Sequence, residues 1–495
     1  MIENHSNGCR SPNKFLIGFC VLFVFWYLLL YGFDWSSLPG ISPLPRDSIN
    51  LASHESWTTV DHKSNNNNNS DSCWGRYIYV HDIPSRFNVD YIKQCKLLNK
   101  WQNMCQYLMN EGLGQGLRDG WFATHQFSLE VIFHNRMKQY QCLTNDSSKA
   151  SAIYVPYYPG LDVARFLWDD RNASRKDIDA LALFDLLRAH PHWKLMGGKD
   201  HFMVCGRITW DFRRIGPNVS VWGSTVMVLP ETQNMTMLTI ESSPWDKNDF
   251  AIPYPTYFHP SSDAQVYGWQ SRMRKQRRRS LFCFAGAPRP NMEKSIRDQI
   301  MAQCASAKNK CRLMECRNDD KHNCLKPTNV MKMFQNSVFC LQPPGDSFTR
   351  RSTFDSILAG CIPVFFTPAS AYVQYLWHLP KDFASYSVLI PEDDVKVGKV
   401  SIDSVLSQIP KSRVLEMREN VIKLIPNVIY ADPKSRLEKL DDAFEVTVKG
   451  VIERVEALRK QRNDESAEFG SEFSWKYYTF GSTKPHEWDH YFRRH

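Results

Sequence analysis

Short runs rich in β-branched and aromatic residues alternate along most of the chain with stretches whose apolar residues recur at helical spacing. Residues 76–80 (RYIYV), 152–157 (AIYVPY), 226–229, 281–284, 338–341 and 362–366 predict strands. Residues 177–189, apolar at 178, 181, 182, 183, 186 and 187, predict an amphipathic helix. Strands alternating with helices imply parallel sheets covered on both faces. The basic loop region 272–280, ahead of a fresh strand, divides them into two α/β halves, residues 73–275 and 276–460, with 461–495 as a C-terminal tail.

The N-terminal pattern is different. Residues 15–33 (FLIGFCVLFVFWYLLLYGF) form an uncharged run of 19 residues, long enough to cross the roughly 30 Å hydrocarbon core as a helix. The run carries bulky Trp26, Tyr27 and Tyr31 where a cleaved signal peptide would end in small residues. Arg10 and Lys14 precede it and Asp34 follows it, so the positive-inside rule leaves residues 1–14 as a cytosolic tail and the remainder in the lumen, a single-pass type II topology. Residues 34–72, with Pro39, Pro43, Pro45 and the asparagine run 65–69, have little apolar periodicity and read as a flexible stem.

Composition narrows the classes. The chain has 495 residues, 43% hydrophobic and 23% charged, which excludes wholesale disorder. Its net charge of +9 is modest and dense only at residues 272–279. That run is assigned to a solvated linker, and no nucleic-acid partner is expected of a lumenal chain. Twelve of the 14 cysteines lie beyond residue 33, as do five Asn-x-Ser/Thr triplets at Asn68, Asn145, Asn172, Asn218 and Asn234. Together they point to an oxidising, glycosylating compartment. Cys304, Cys311, Cys316 and Cys324 lack the C-x₂-C spacing of a zinc site, so at least one disulfide is expected among them, with three connectivities open.

The most informative stretch is residues 338–366, VFCLQPPGDSFTRRSTFDSILAGCIPVFF. It reads as a βαβ unit in which Gly345 opens a loop and Ser347, Thr349 or Ser352 caps the helix. Open α/β sheets bind ligands outside the carboxyl ends of their strands, and a helix N-terminus there presents free N–H groups to an anion. Arg350 and Arg351 add two planar forks for phosphate oxygens, and Asp355, one turn deeper, is placed to take ribose hydroxyls. Asp177 and Asp179 form an Asp-x-Asp, but at the start of a predicted helix, where carboxylates complement the dipole; no metal site is expected from them.

At this point the chain resembles the exostosin-like glycosyltransferases, and within them the plant branch of xyloglucan galactosyltransferases. The matching pieces are CWGRYIYVHDIPSRFN, QFSLEVIFHNRMKQYQCLT, GGKDHFMVCGRITWDFRR, DFAIPYPTYFHP, FAGAPRP and QPPGDSFTRRSTFDSILAGCIPVFF, followed by PEDDV. The resemblance implies a GT-B fold, two Rossmann-like domains facing a cleft, behind a signal anchor in the Golgi membrane. It also implies inverting transfer of galactose from UDP-galactose to xylosyl side chains of xyloglucan, with complexes with other Golgi glycosyltransferases as further partners. Relatives acting on mannan, relatives using UDP-galacturonic acid, and a non-catalytic glycan-binding partner remain the alternatives. Inverting transfer needs positive charge for the departing diphosphate and a base for the acceptor hydroxyl. Arg350, Arg351 and Arg289 of FAGAPRP are expected to supply the first, without a metal or other cofactor. Of Asp200, His201, His125, Glu130 and Asp162, His201 is the expected base, oriented by Asp200. The acceptor glucan is expected along aromatic side chains such as Trp121, Trp168, Trp210 and Trp245.

Overall fold

The computed structural model describes residues 71–168, 173–216, 221–289, 295–316, 324, 326–463 and 488–492. The first half is built on six parallel strands: β1 (Ile78–Val80), β2 (Leu143–Thr144), β3 (Ala152–Tyr154), β4 (His201–Ile208), β5 (Thr236–Glu241) and β6 (Asp249–Ala251), in the order β2-β1-β3-β4-β5-β6. The second has five: β7 (Ser280–Gly286), β8 (Cys311–Glu315), β9 (Ser337–Gln342), β10 (Ile362–Phe365) and β11 (Val388–Leu389), in the order β11-β10-β9-β7-β8, again all parallel. In both sheets the chain adds one strand on one side of the first and then crosses to the other. Each therefore has a switch point, between β1 and β3 and between β7 and β9, where the following loops diverge and leave a crevice.

The strands are buried on both faces because their side chains are apolar at both parities. Phe202, Met203, Val204 and Cys205 of β4 and Phe282, Cys283 and Phe284 of β7 are all buried. This is the continuous apolar run of a parallel sheet covered by helices rather than the alternation of a half-exposed one. The strand expected at 226–229 is instead a 3₁₀ turn, Val226–Val228. Pro230, which lacks an N–H to extend a ladder, starts a short helix immediately after it, and the strand follows at Thr236.

Helices α1 (Leu129–Met137), α2 (Ile178–Ala189), α3 (Asp263–Lys275), α4 (Arg297–Ser306), α5 (Arg351–Leu358) and α6 (Ala443–Asn463) pack on these sheets. Two of them revise the boundaries drawn from the sequence. α3, assigned there to the first half, packs on the second: Trp269 Nε1 donates to the Leu358 carbonyl, Gln270 Nε2 to the Ile422 carbonyl, and Arg274 pairs with Glu419. α6 returns to the first half, with Phe444 against Phe133 (ring centroids 4.8 Å apart) and Arg454 Nε donating to Thr236 Oγ1. Midway along α6, a Cβ on Gly450 would lie 2.3 Å from the Trp377 ring, so that crossing requires glycine. Of the basic run, Arg278 is structural: it donates to the carbonyls of Phe334, Ser337 and Ala359. The end of the chain is also used. Trp488 is buried beside Tyr372 and Phe383, and Trp245 Nε1 donates to the Phe492 carbonyl.

Among the described residues there are five disulfides: Cys73–Cys142, Cys95–Cys105, Cys304–Cys311, Cys316–Cys324 and Cys340–Cys361. The last joins β9 to the residue before β10 and so closes the βαβ unit that carries the Gly345 loop. Closing a loop of 21 residues removes denatured-state entropy worth about 3 kcal/mol. Among the described residues no helix is long and apolar enough to cross a membrane; residues 15–33 lie outside the described residues, as do Asn68, Asn172 and Asn218. Asn145 and Asn234 are exposed.

Candidate active site

The segments that leave β7 and β9 meet at the second switch point. β9 ends at Gln342, and the chain passes through Pro343, Pro344 and Gly345 before α5 begins at Arg351. Three guanidinium groups converge on this loop. Arg289, beyond β7, pairs with Asp346 at 2.9 Å. Arg297, the first residue of α4, donates to the carbonyls of Pro344 and Ala287. Arg350 folds back over the glycine: a Cβ on Gly345 would lie 1.8 Å from Arg350 Nη2 and 2.7 Å from Arg297 Nη2. Glycine is therefore dictated by the close approach of two cations rather than by backbone conformation. Burial first, and then its neighbours Arg350 and Arg289, lower Arg297 to about 10. Like charges held this close and partly desolvated repel one another in the absence of an anion, and Arg350 Nη2 is buried without a hydrogen-bond partner. Such a cluster offers several donors to a polyanionic group.

The two arginines expected to act together diverge. Arg351 Nη1 donates to the Thr124 carbonyl at 2.5 Å, its guanidinium lies 3.6 Å from the centre of the Tyr257 ring, and its Nε is 3.5 Å from Asp355. It thus closes the seam between the halves, away from Gly345, where Arg350 lies. Asp355 is 3% exposed, and its Oδ1 has no partner. Burial, only partly offset by Arg351, raises its carboxyl to about 6. The folded state thus holds this proton more tightly than the unfolded chain, so Asp355's contribution to stability is complete below about pH 4 and is lost as pH rises through about 6. Asp355→Asn is expected to flatten the fall in melting temperature across that window; an unchanged slope would place the titration elsewhere.

Hydroxyl capping of α5 is also revised. Arg350 occupies the N-cap without a side-chain bond, and the Ser352 hydroxyl donates to Gln342 Oε1. Thr349 is fully buried and donates through both its N–H and its hydroxyl to Glu241 Oε2, at 2.7 and 2.6 Å. Glu241 is the last residue of β5, and its Oε1 accepts from Trp210 Nε1 at 2.9 Å. One carboxylate thus ties the carboxyl end of the first sheet to the cationic loop of the second. Beside this clamp lies a cavity of about 420 Å³, with Trp210 and Trp245 on one side and Pro344, Gly345, Ser347 and Phe348 on the other. Its carboxylates are Asp346, already paired with Arg289, and Glu392, whose side chain accepts no hydrogen bond among the described residues and whose carboxyl is raised, chiefly by burial.

The expected base does not reach this cavity. His201 is the first residue of β4 and so sits at its amino end, whereas the cavity adjoins carboxyl ends. It is fully buried. Its Nδ1 is 2.7 Å from Asp200 Oδ1, and its Nε2 is 3.1 Å from His81 Nε2. Asp200 accepts from Nδ1–H, which leaves Nε2 to accept from His81, and both nitrogens are spent inside the fold. The other candidates are engaged too. Glu130 accepts the N–H groups of Gly160, Leu161 and Gly206. Asp162 holds Tyr157 and Arg165. Asp177 pairs with Arg214 and Asp179 with Arg165, so the Asp-x-Asp is fully paired. His125 stays half-buried, its Nδ1 accepting from the Phe127 N–H, and burial with Arg351 and Arg207 nearby lowers it to about 3.

Two parallel α/β halves with a cationic glycine loop on one side of a cavity and tryptophans on the other fit an enzyme that handles a nucleotide-linked sugar. Residues 72–406 match the Exostosin GT47 domain, and the chain belongs to that glycosyltransferase family. It is 54% identical over 451 residues to xyloglucan galactosyltransferase MUR3 of Arabidopsis thaliana, covering 88% of this chain and 71% of the relative. Similarity extends to the probable xyloglucan galactosyltransferase GT12 of the same plant (49% over 418 residues, 82% and 81% covered). Its xyloglucan-specific galacturonosyltransferase 1 is 41% identical over 396 residues (79% and 59% covered).

Proposed function

We propose that this chain transfers galactose from UDP-galactose to xylosyl side chains of xyloglucan, with inversion, as a single-pass type II enzyme of the Golgi membrane with its catalytic part in the lumen. The observation that carries this reading is the convergence of Arg289, Arg297 and Arg350 on Gly345, opposite the Trp210–Trp245 wall. The galactose and xyloglucan assignments lean on relatives named xyloglucan galactosyltransferases at 54% and 49% identity. The paired parallel sheets, each with a switch-point crevice, support a GT-B fold with the nucleotide on the second half.

In this mechanism the diphosphate lies against the three guanidinium groups, which stabilise the charge that develops as UDP leaves and so fill the part a divalent cation could take. The sugar projects into the cavity beside Trp210 and Trp245, and the acceptor hydroxyl attacks the anomeric carbon from the face opposite UDP. Glu392, a cavity carboxylate that accepts no hydrogen bond among the described residues and has a raised proton affinity, takes the hydroxyl proton in place of His201.

Detergent-solubilised full chain incubated with UDP-galactose and xyloglucan oligosaccharide is expected to add one hexose mass, removable by a β-galactosidase, at a rate unchanged by chelator. Product formed only with UDP-galacturonic acid or only on mannan would overturn the substrate assignment, and complete loss with EDTA restored by Mn²⁺ would overturn the metal-free step.

A further inference from the structure

Three tryptophans on the first half are exposed. Trp101 is 66% exposed, Trp168 45% and Trp222 37%. They are also contiguous: the Trp101 and Trp168 rings are 4.5 Å apart between centroids, and Trp168 and Trp222 are 4.9 Å apart. A contiguous exposed apolar surface of this kind marks a binding site more often than a structural one.

Their origin in the topology gives the surface its place. Trp101 lies on the segment that follows β1, Trp168 on the one that follows β3, and Trp222 on the one that follows β4. These strands are neighbours in the sheet, so the platform is assembled from the loops at its carboxyl ends, the edge where open α/β sheets receive ligands. It is joined to the active site by bonds. Trp222 Nε1 donates to Asp211 Oδ1 at 2.9 Å, and Asp211 Oδ2 accepts from Arg207 Nε at 2.6 Å. Next to Asp211 in the chain is Trp210, held by Glu241 and lining the cavity. Aromatic side chains thus run across β1, β3, β4 and β5 towards the Gly345 loop.

We propose that Trp101, Trp168 and Trp222 bind the neutral β-linked glucan backbone of the acceptor polymer, at residues distant from the one that receives the transferred sugar. This rests on the reading that the acceptor is xyloglucan. The C–H faces of successive pyranose rings stack on indole faces without any demand for charge, and rings held by mutual packing lose little freedom when a polymer settles on them. None of the three lines the cavity, so the site is a polymer-affinity determinant rather than part of the chemistry.

The test uses detergent-solubilised full chain carrying Trp101→Ala and Trp168→Ala together, with unchanged UDP binding as proof of folding. Migration through native gels containing xyloglucan polymer, with no donor present, is expected to show about tenfold weaker binding. In transfer assays KM for the polymer should rise by the same factor, while kcat and KM for a short xyloglucan oligosaccharide stay as in the parent. Unaltered retardation and unaltered polymer KM would overturn the platform and leave the proposed reaction standing. Weakened retardation in a chain that transfers galactose to no xyloglucan would keep the platform and remove the proposed reaction. Asn172 and Asn218 each lie four residues from a platform tryptophan in sequence. If the double variant's only effect is a stability loss that disappears in Asn172→Gln/Asn218→Gln chains, the platform packs the protein's own glycans and the proposal is overturned.

Discussion

Arg350→Ala is expected to lower kcat/KM for UDP-galactose by about 10²-fold or more, with UDP binding weakened about tenfold. The binding loss corresponds to one charge-assisted phosphate contact, and the remainder to leaving-group charge that the guanidinium no longer meets. Arg350→Lys should recover little, because a single ammonium cannot span two phosphate oxygens from a position folded over Gly345. Arg351→Ala should behave differently. Its guanidinium is committed to the Thr124 carbonyl, the Tyr257 ring and Asp355, so the loss should appear in melting temperature more than in UDP affinity. UDP titrations of both variants check this directly. Equal losses of nucleotide affinity would mean that the two arginines share the anion after all.

Glu241→Ala should be the most damaging single change to the fold around the site. The carboxylate is fully buried and accepts from the Trp210 indole, the Thr349 N–H and the Thr349 hydroxyl. Removing it takes the acceptor from the buried Thr349 N–H and hydroxyl and from the half-buried Trp210 indole and opens the connection between the halves, for a cost of about 2–4 kcal/mol in urea unfolding. The cationic loop loses its tether in the same step, so UDP binding should fall even where the variant remains folded. A variant with parental stability and nucleotide affinity would show that the clamp does not position the loop.

Much of this architecture is legible in the chain, and the failures have identifiable causes. The βαβ unit at residues 338–366 is readable because strand, turn glycine, helix and strand follow without interruption. Arg297 is invisible there: it stands 48 positions before Gly345, counted from the numbering, and only the β7–β9 switch point brings the two together. Glu241 looks like an ordinary acid after an apolar run, although its place at the end of a strand is the signal that could have found it. His201 fails by the same rule, since a residue that opens a strand lies at the edge remote from the ligand. The halves divide earlier than the basic run suggests because Trp269 and Gln270, the buried face of α3, fit the second core.

A structure of the protein with UDP bound would show directly which guanidinium groups hold the diphosphate. The diphosphate is expected within hydrogen-bond distance of Arg297 and Arg350 at Gly345, with the terminal phosphate directed into the cavity lined by Trp210, Trp245 and Glu392. A diphosphate lying instead along Arg351 and Tyr257, with no contact to Arg350, would contradict that placement.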